Sequence, residues 1–195
     1  PIVRAKYGQM GHHIRNDANN FDSEYRRVVV AFISLPNLHK QSIKPKGVDV
    51  THLNDVYSAL KTILAKFEGL MRDFLFEDKG CTMIVTWGTV SRSEFDHLRA
   101  VLFALEALAA MASLKEACKI GISFGNCFTG VCGHSSRRDY VVMGTEVNMA
   151  ARLMGKAEVG KALCSEPVFK ATNLQIGFDM TDPVVLKGRE GDQRA

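Results

Sequence analysis

Apolar positions along this chain come in two rhythms, separated by polar breaks. Residues 27–35 form a nearly unbroken apolar run rich in valine, which predicts a buried strand. The period then changes: Val56, Leu60, Ile63, Leu64 and Phe67 recur at helical spacing. Residues 70–77 and 81–88 predict a hairpin turning through Asp78-Lys79-Gly80. Leu98, Val101, Leu102, Leu105, Leu108, Ala109 and Ala112 mark the expected apolar face of a second amphipathic helix. Residues 117–124 and 127–132 read as two strands meeting around Gly125-Asn126, and a further helix starts at Thr145. Short strands are expected near 162–164, 175–179 and 183–187. Pro36 to Gly47 reads as a basic loop carrying two prolines. Residues 1–24 are polar and lack periodicity, which predicts a linker or N-terminal arm before a domain over 25–195. The order β-α-β-β-α-β gives an α+β fold with a ferredoxin-like βαββαβ core and added strands.

Bulk properties narrow the chemistry. The 195 residues are 46% hydrophobic, enough for the core of one domain. A net charge of +4, from 25 basic against 21 acidic side chains, suits a small anionic ligand and gives no argument for nucleic acid. No apolar run approaches the ~20 residues of a membrane span, and no secretory signal is visible, so a cytoplasmic setting is expected, as a domain alone or as the cytosolic part of a larger protein. The five cysteines are odd in number and form no C-x-x-C pair, which predicts free thiols in a reducing compartment. His12-His13 lies in the polar N-terminal stretch, where a solvated tail is expected rather than a metal site.

The most informative stretch runs from Arg138 to Arg152, where a β-like segment meets Gly144 and a helix follows. Asn148 and Arg152 sit four residues apart at the start of that helix, which stacks their side chains on one face. An amide and a guanidinium projected together suit a sugar and a phosphate. By chemistry alone the favoured reading is a capped amphipathic helix with a surface arginine, since polar pairs at this spacing are common on helices.

This stretch resembles the class III nucleotidyl cyclase pattern of R-x-x-Y, G-x-x-V-N and A-x-R. Lys119 to Gly125, followed by Gly130-Val131-Cys132-Gly133, resembles the strand pair that precedes it in that family. Arg27 to Ser34 resembles the first strand, and Asp78-Lys79-Gly80-Cys81 leading to Trp87-Gly88 resembles the central hairpin. The likenesses keep family order from about residue 26 to 188 and are nearest the second (C2-like) cyclase homology domain of soluble-type adenylyl cyclases. The resemblance implies cyclisation of ATP to 3′,5′-cyclic AMP and pyrophosphate with two divalent ions, Mg²⁺ or Mn²⁺. It implies that Asn148 orients the ribose, Arg152 stabilises the transition state and Lys187 meets the terminal phosphates. A further strand would follow Lys187-Gly188, and the chain is expected to stop short of completing it.

Departures from the pattern matter as much. Ser34 and Cys81 occupy the positions of the family's two metal-binding aspartates, and neither replaces a carboxylate for a hard cation. Asp73 falls where adenylyl cyclases carry a base-reading lysine, with Arg72 beside it on the opposite strand face unless a bulge re-aims it. Val141 falls where they carry an Asp or Thr and offers no side-chain hydrogen bond. The base pocket is therefore degenerate. The resemblance then implies a C2-like half whose metals are held mainly by a C1-like partner domain, and a homodimer without activity. Two alternatives stand beside it: a non-catalytic cyclase domain with a regulatory or nucleotide-binding role, and half of a guanylate cyclase.

Overall fold

A computed structural model describes residues 23–42, 47–77, 80–134 and 137–181. The elements follow in the order β1 (Glu24–Ser34), α1 (Pro36–Ser42), α2 (Val50–Lys66), β2 (Leu70–Glu77), β3 (Gly80–Trp87), α3 (Asp96–Ser113), β4 (Lys119–His134), β5 (Arg137–Met143), α4 (Thr145–Lys156), β6 (Ala162–Cys164) and α5 (Glu166–Thr172). The sheet runs β2-β3-β1-β4-β5, antiparallel at each step, with β6 parallel to β4. Its β2-β3-β1-β4 portion, with α2 and α3, is the expected ferredoxin-like core, and α1, β5, α4, β6 and α5 are the additions.

Strand alternation sorts the core into two layers. Val29, Ala31 and Ile33 of β1 pack with Met83, Val85 and Trp87 of β3 and Ile120, Ile122 and Phe124 of β4 beneath α2 and α3. The intervening Val28 and Val30 point to the other face, where they meet Cys127, Val142 and Ala150 of α4. Because both faces are covered, β1 reads as a continuous apolar run rather than an alternating one. Asp49 starts α2 by accepting from Thr51 N at 2.9 Å and His52 N at 3.5 Å.

Four local expectations are corrected. Strands 117–124 and 127–132 are one strand: Gly125 and Asn126 stay in the ladder, opposite Val28 and Arg27 of β1. Pro36 opens α1 rather than a loop, since its fixed φ and missing N–H suit a first helical position. Residues 175–179 are not a strand; they follow α5 as turn and irregular chain. The second amphipathic helix exists, but it buries Ala100, Val101, Phe103, Ala104, Ala107 and Met111, whereas Leu105 is exposed. Three alanines face inward there with Val101, Phe103 and Met111, and the leucines lie on the flanks. Residues 1–22 of the expected arm (1–24) and the last short strand at 183–187 lie outside the described residues, and Glu24, at the end of that arm, already belongs to β1.

Candidate functional site

Helix α4 carries Asn148 and Arg152 on its exposed face and buries Glu146, Met149, Ala150 and Leu153 against the sheet. Alternate residues of β4 fix it there. Ser123 Oγ donates to Glu146 Oε2 at 2.5 Å, a buried bond inside the first turn of the helix. Two residues earlier, a Cβ on Gly121 would lie 2.1 Å from Met154 N and 2.2 Å from Ala150 O, so the helix backbone rests on the strand backbone. Two residues earlier again, Lys119 Nζ donates to Gly155 O at 3.2 Å at the end of the helix. A strand presents every second residue to the same face, so one strand grips the helix along its length. Gly125 extends the seat: a Cβ there would meet Glu146 Cγ at 2.7 Å.

The Ser34–Cys81 end is built differently. Ser34 closes β1 opposite Thr82 of β3, so residue 81 is turned to the other face. Cys81 is fully buried in the layer under α2 and α3, beside neighbours that include Ile33 and Met83. Their backbones meet, with Leu35 N donating to Cys81 O at 2.9 Å, but the side chains diverge. Burial, and then the charge of Glu116, push the Cys81 thiol up to about 12, so it stays protonated and is a packed apolar group rather than a ligand or nucleophile. Glu116 also closes the start of α1. Its Oε1 accepts from Asn37 N at 3.1 Å and Leu38 N at 3.2 Å, and its Oε2 lies 3.2 Å from His52 Nε2. The Glu116 side chain is 1% exposed, so an internal carboxylate already occupies the backbone donors that follow β1.

Magnesium does not fit this end. A half-buried serine hydroxyl and a protonated thiol on the opposite face offer a hard divalent ion no carboxylate. Among the described residues no three His, Cys, Asp or Glu side chains gather in a way that could hold a metal ion.

Asp73 and Val141 lie on β2 and β5, the two ends of the strand order. The ladder shifts between Met71 and Asp73, which leaves Arg72 as the extra residue of a bulge. Arg72 Nη1 donates to the carbonyl of Tyr140, next to Val141, and Nη2 sits 3.6 Å from Asp73 Oδ2. The two base-pocket positions are therefore joined through Arg72 and Tyr140. Lys187 lies outside the described residues. Glu116 and Glu146 carry no signal in the sequence, because their partners are 78 and 23 residues away.

The five cysteines are unpaired. Among the described residues no helix is long and apolar enough to cross a membrane.

A family model for the adenylate and guanylate cyclase catalytic domain matches residues 22–194. Among curated proteins, adenylate cyclase type 10 of Homo sapiens is 28% identical over 170 residues, which cover 85% of this chain and 10% of that protein. Its counterpart in Oryctolagus cuniculus is 28% identical over 176 residues, covering 87% of this chain and 10% of that one. The chain thus spans about a tenth of the length of these relatives. Among solved structures, the adenylyl cyclase CyaB from P. aeruginosa matches with a TM-score of 0.79 and 22% identity over 89% of this chain and 93% of that one. The guanylyl cyclase Cya2 matches with 0.75 and 20% identity over 88% and 91%. The expected α+β fold is therefore shared with proteins named for both nucleotides. With the family pattern matched across nearly the whole domain, the chain belongs to the adenylate and guanylate cyclase catalytic-domain family.

Proposed function

We propose that this domain is the C2-like half of an adenylate cyclase, converting ATP to 3′,5′-cyclic AMP and pyrophosphate at an interface with a C1-like domain. One observation carries the reading: Asn148 and Arg152 stand together on the open face of α4, while Ser34 and Cys81 put no carboxylate at the metal positions and Glu116 is spent on the backbone beside them. The kinship with adenylate cyclase type 10 supports ATP as the substrate. The divalent ions, Mg²⁺ or Mn²⁺, belong to the partner domain in this reading.

The work left to this chain is alignment and charge stabilisation. The ribose 3′-hydroxyl attacks the α-phosphorus in line, and pyrophosphate leaves. The Asn148 amide both donates and accepts, so it can hold the ribose in the attacking pose. Arg152 offers a planar fork of N–H donors to the phosphate oxygens as charge builds on them, which a lysine would not reproduce. Lys187, by its place in the motif, meets the terminal phosphates.

The test mixes this domain with a C1-type domain from the same polypeptide and measures cyclic AMP. Arg152→Ala is expected to lower turnover on the order of 10²-fold or more. Activity unchanged by that substitution would refute the assignment. The domain alone, as monomer or homodimer, is expected to make no cyclic AMP. A regulatory reading is favoured by the loss of polar base-reading groups at Val141; nucleotide binding to the mixture without turnover would support it.

A further inference from the structure

The Arg72 contact links parts of the molecule far apart in strand order. β2 and β5 are the outermost members of β2-β3-β1-β4-β5, yet a guanidinium from one reaches a main-chain carbonyl of the other. The bulge explains how. Met71 stays opposite Val85 and Asp73 takes its place opposite Ile84, so Arg72 is released from the ladder and re-aimed. Asp73 Oδ2, 3.6 Å from Nη2, steadies the fork, and the Arg72 side chain is only 21% exposed.

What Arg72 holds is the approach to α4. Tyr140 is anchored twice more: its hydroxyl donates to Thr89 O at 2.9 Å, and its ring packs on the cluster that includes Val28, Val30 and Ala150 of α4. Four residues later Gly144 ends the strand against β4, where a Cβ would lie 3.2 Å from Asn126 O, and α4 begins at Thr145. β4 fixes how high α4 sits on the sheet; β5 fixes where its first turn begins.

We infer that Arg72 is a positioning residue for Asn148 and Arg152, acting across the sheet through Tyr140. The inference rests on the function proposed above. It makes the bulge in β2 part of the machinery although it lies outside α4. A residue that places catalytic groups without touching substrate lowers kcat and leaves KM nearly unchanged. Its effect also shrinks once one of the groups it positions is gone, because coupled residues are not additive.

The experiment has two arms. In the first, Arg72→Ala, Arg152→Ala and the double variant are assayed with the C1-type partner. Arg72→Ala is expected to lower kcat about 10-fold at a near-constant KM for ATP. Arg72→Lys, which keeps one donor for the Tyr140 carbonyl, restores part of that loss. Adding Arg72→Ala to Arg152→Ala costs clearly less than it does alone, because only Asn148 is left to position. A change confined to KM, or full additivity in the double variant, overturns the inference. In the second arm, hydrogen exchange is followed on the whole chain without a partner, with Arg72→Ala expected to speed exchange selectively in residues 140–148. Unchanged exchange there also overturns it, whether or not the complex is active. If Arg152→Ala leaves turnover unaffected, the proposed function fails, and the exchange arm still decides whether Arg72 positions the helix.

Discussion

Two regions of one sheet face opposite tasks. At α4, polar side chains are presented outward while the helix beneath them is gripped by Ser123, Gly121 and Lys119 of β4. At the end of β1, the polar groups turn inward: Glu116 takes the Asn37 and Leu38 amides, and Cys81 is sealed in the core. Both ends contain a buried glutamate. Glu146 steadies a helix whose other face stays open, whereas Glu116 uses up the donors an incoming anion would need. The difference teaches that a half-site can be recognised by what its own side chains already satisfy, as well as by the motif it retains.

The sharpest way to break this contrast is to place a carboxylate at the sealed end. Cys81→Asp puts an acid among apolar neighbours under α2 and α3 rather than beside Ser34, and is expected to cost about 3–5 kcal/mol. Ser34→Asp, at a half-buried strand end, is expected to cost under about 1 kcal/mol. Urea unfolding compares them, and equal stability of the two variants would show that Cys81 is not committed to the core. Next in size is Glu116→Ala, which leaves one buried and one part-buried amide without their acceptor and is expected to cost about 2–3 kcal/mol. If the two ends are separate, residual activity with the C1-type partner keeps its dependence on Arg152.

A pH dependence touches both ends. Cys81 and Cys118 are pushed up to about 12, and Cys127, near Glu146, to about 11, each by burial first and a glutamate second. The folded state therefore holds protons that the unfolded chain, with thiols near the ordinary value of 9.0, gives up. Their contribution to stability is intact below pH 9 and lost as pH rises toward about 11 at Cys127 and about 12 at Cys81 and Cys118. Denaturation midpoints measured from pH 8 upward check this, and Cys118→Ala is expected to flatten the decline.

Much of the architecture was legible because it rests on period alone. The β1 run, the β2–β3 hairpin and the stripe Val56, Leu60, Ile63, Leu64 are all where hydrophobic spacing puts them. In α3 every position from Ala100 to Ala112 but Glu106 is apolar, so the spacing of leucines could not say which face was inside; Ala100, Ala104 and Ala107, with Val101, Phe103 and Met111, took that place. The break expected at Gly125-Asn126 failed for a related reason: a strand paired with β1 tolerates glycine when α4 leans on it. The outward Asn148–Arg152 pair followed from helical spacing. The clasp at Glu116 and the reach of Arg72 to Tyr140 did not, since each depends on partners brought together only by the folded sheet.

Gly121 gives the seat of α4 an unusual property. The helix bears on the strand with main chain against main chain, so the gap contains no rotamer to turn and no methyl group to trim. Steric hard walls, rather than adaptable packing, thus dictate how far the Arg152 guanidinium stands from the sheet. A single added methyl at this point would act like a shim under a gauge: the domain could stay assembled while its pointer read the wrong height.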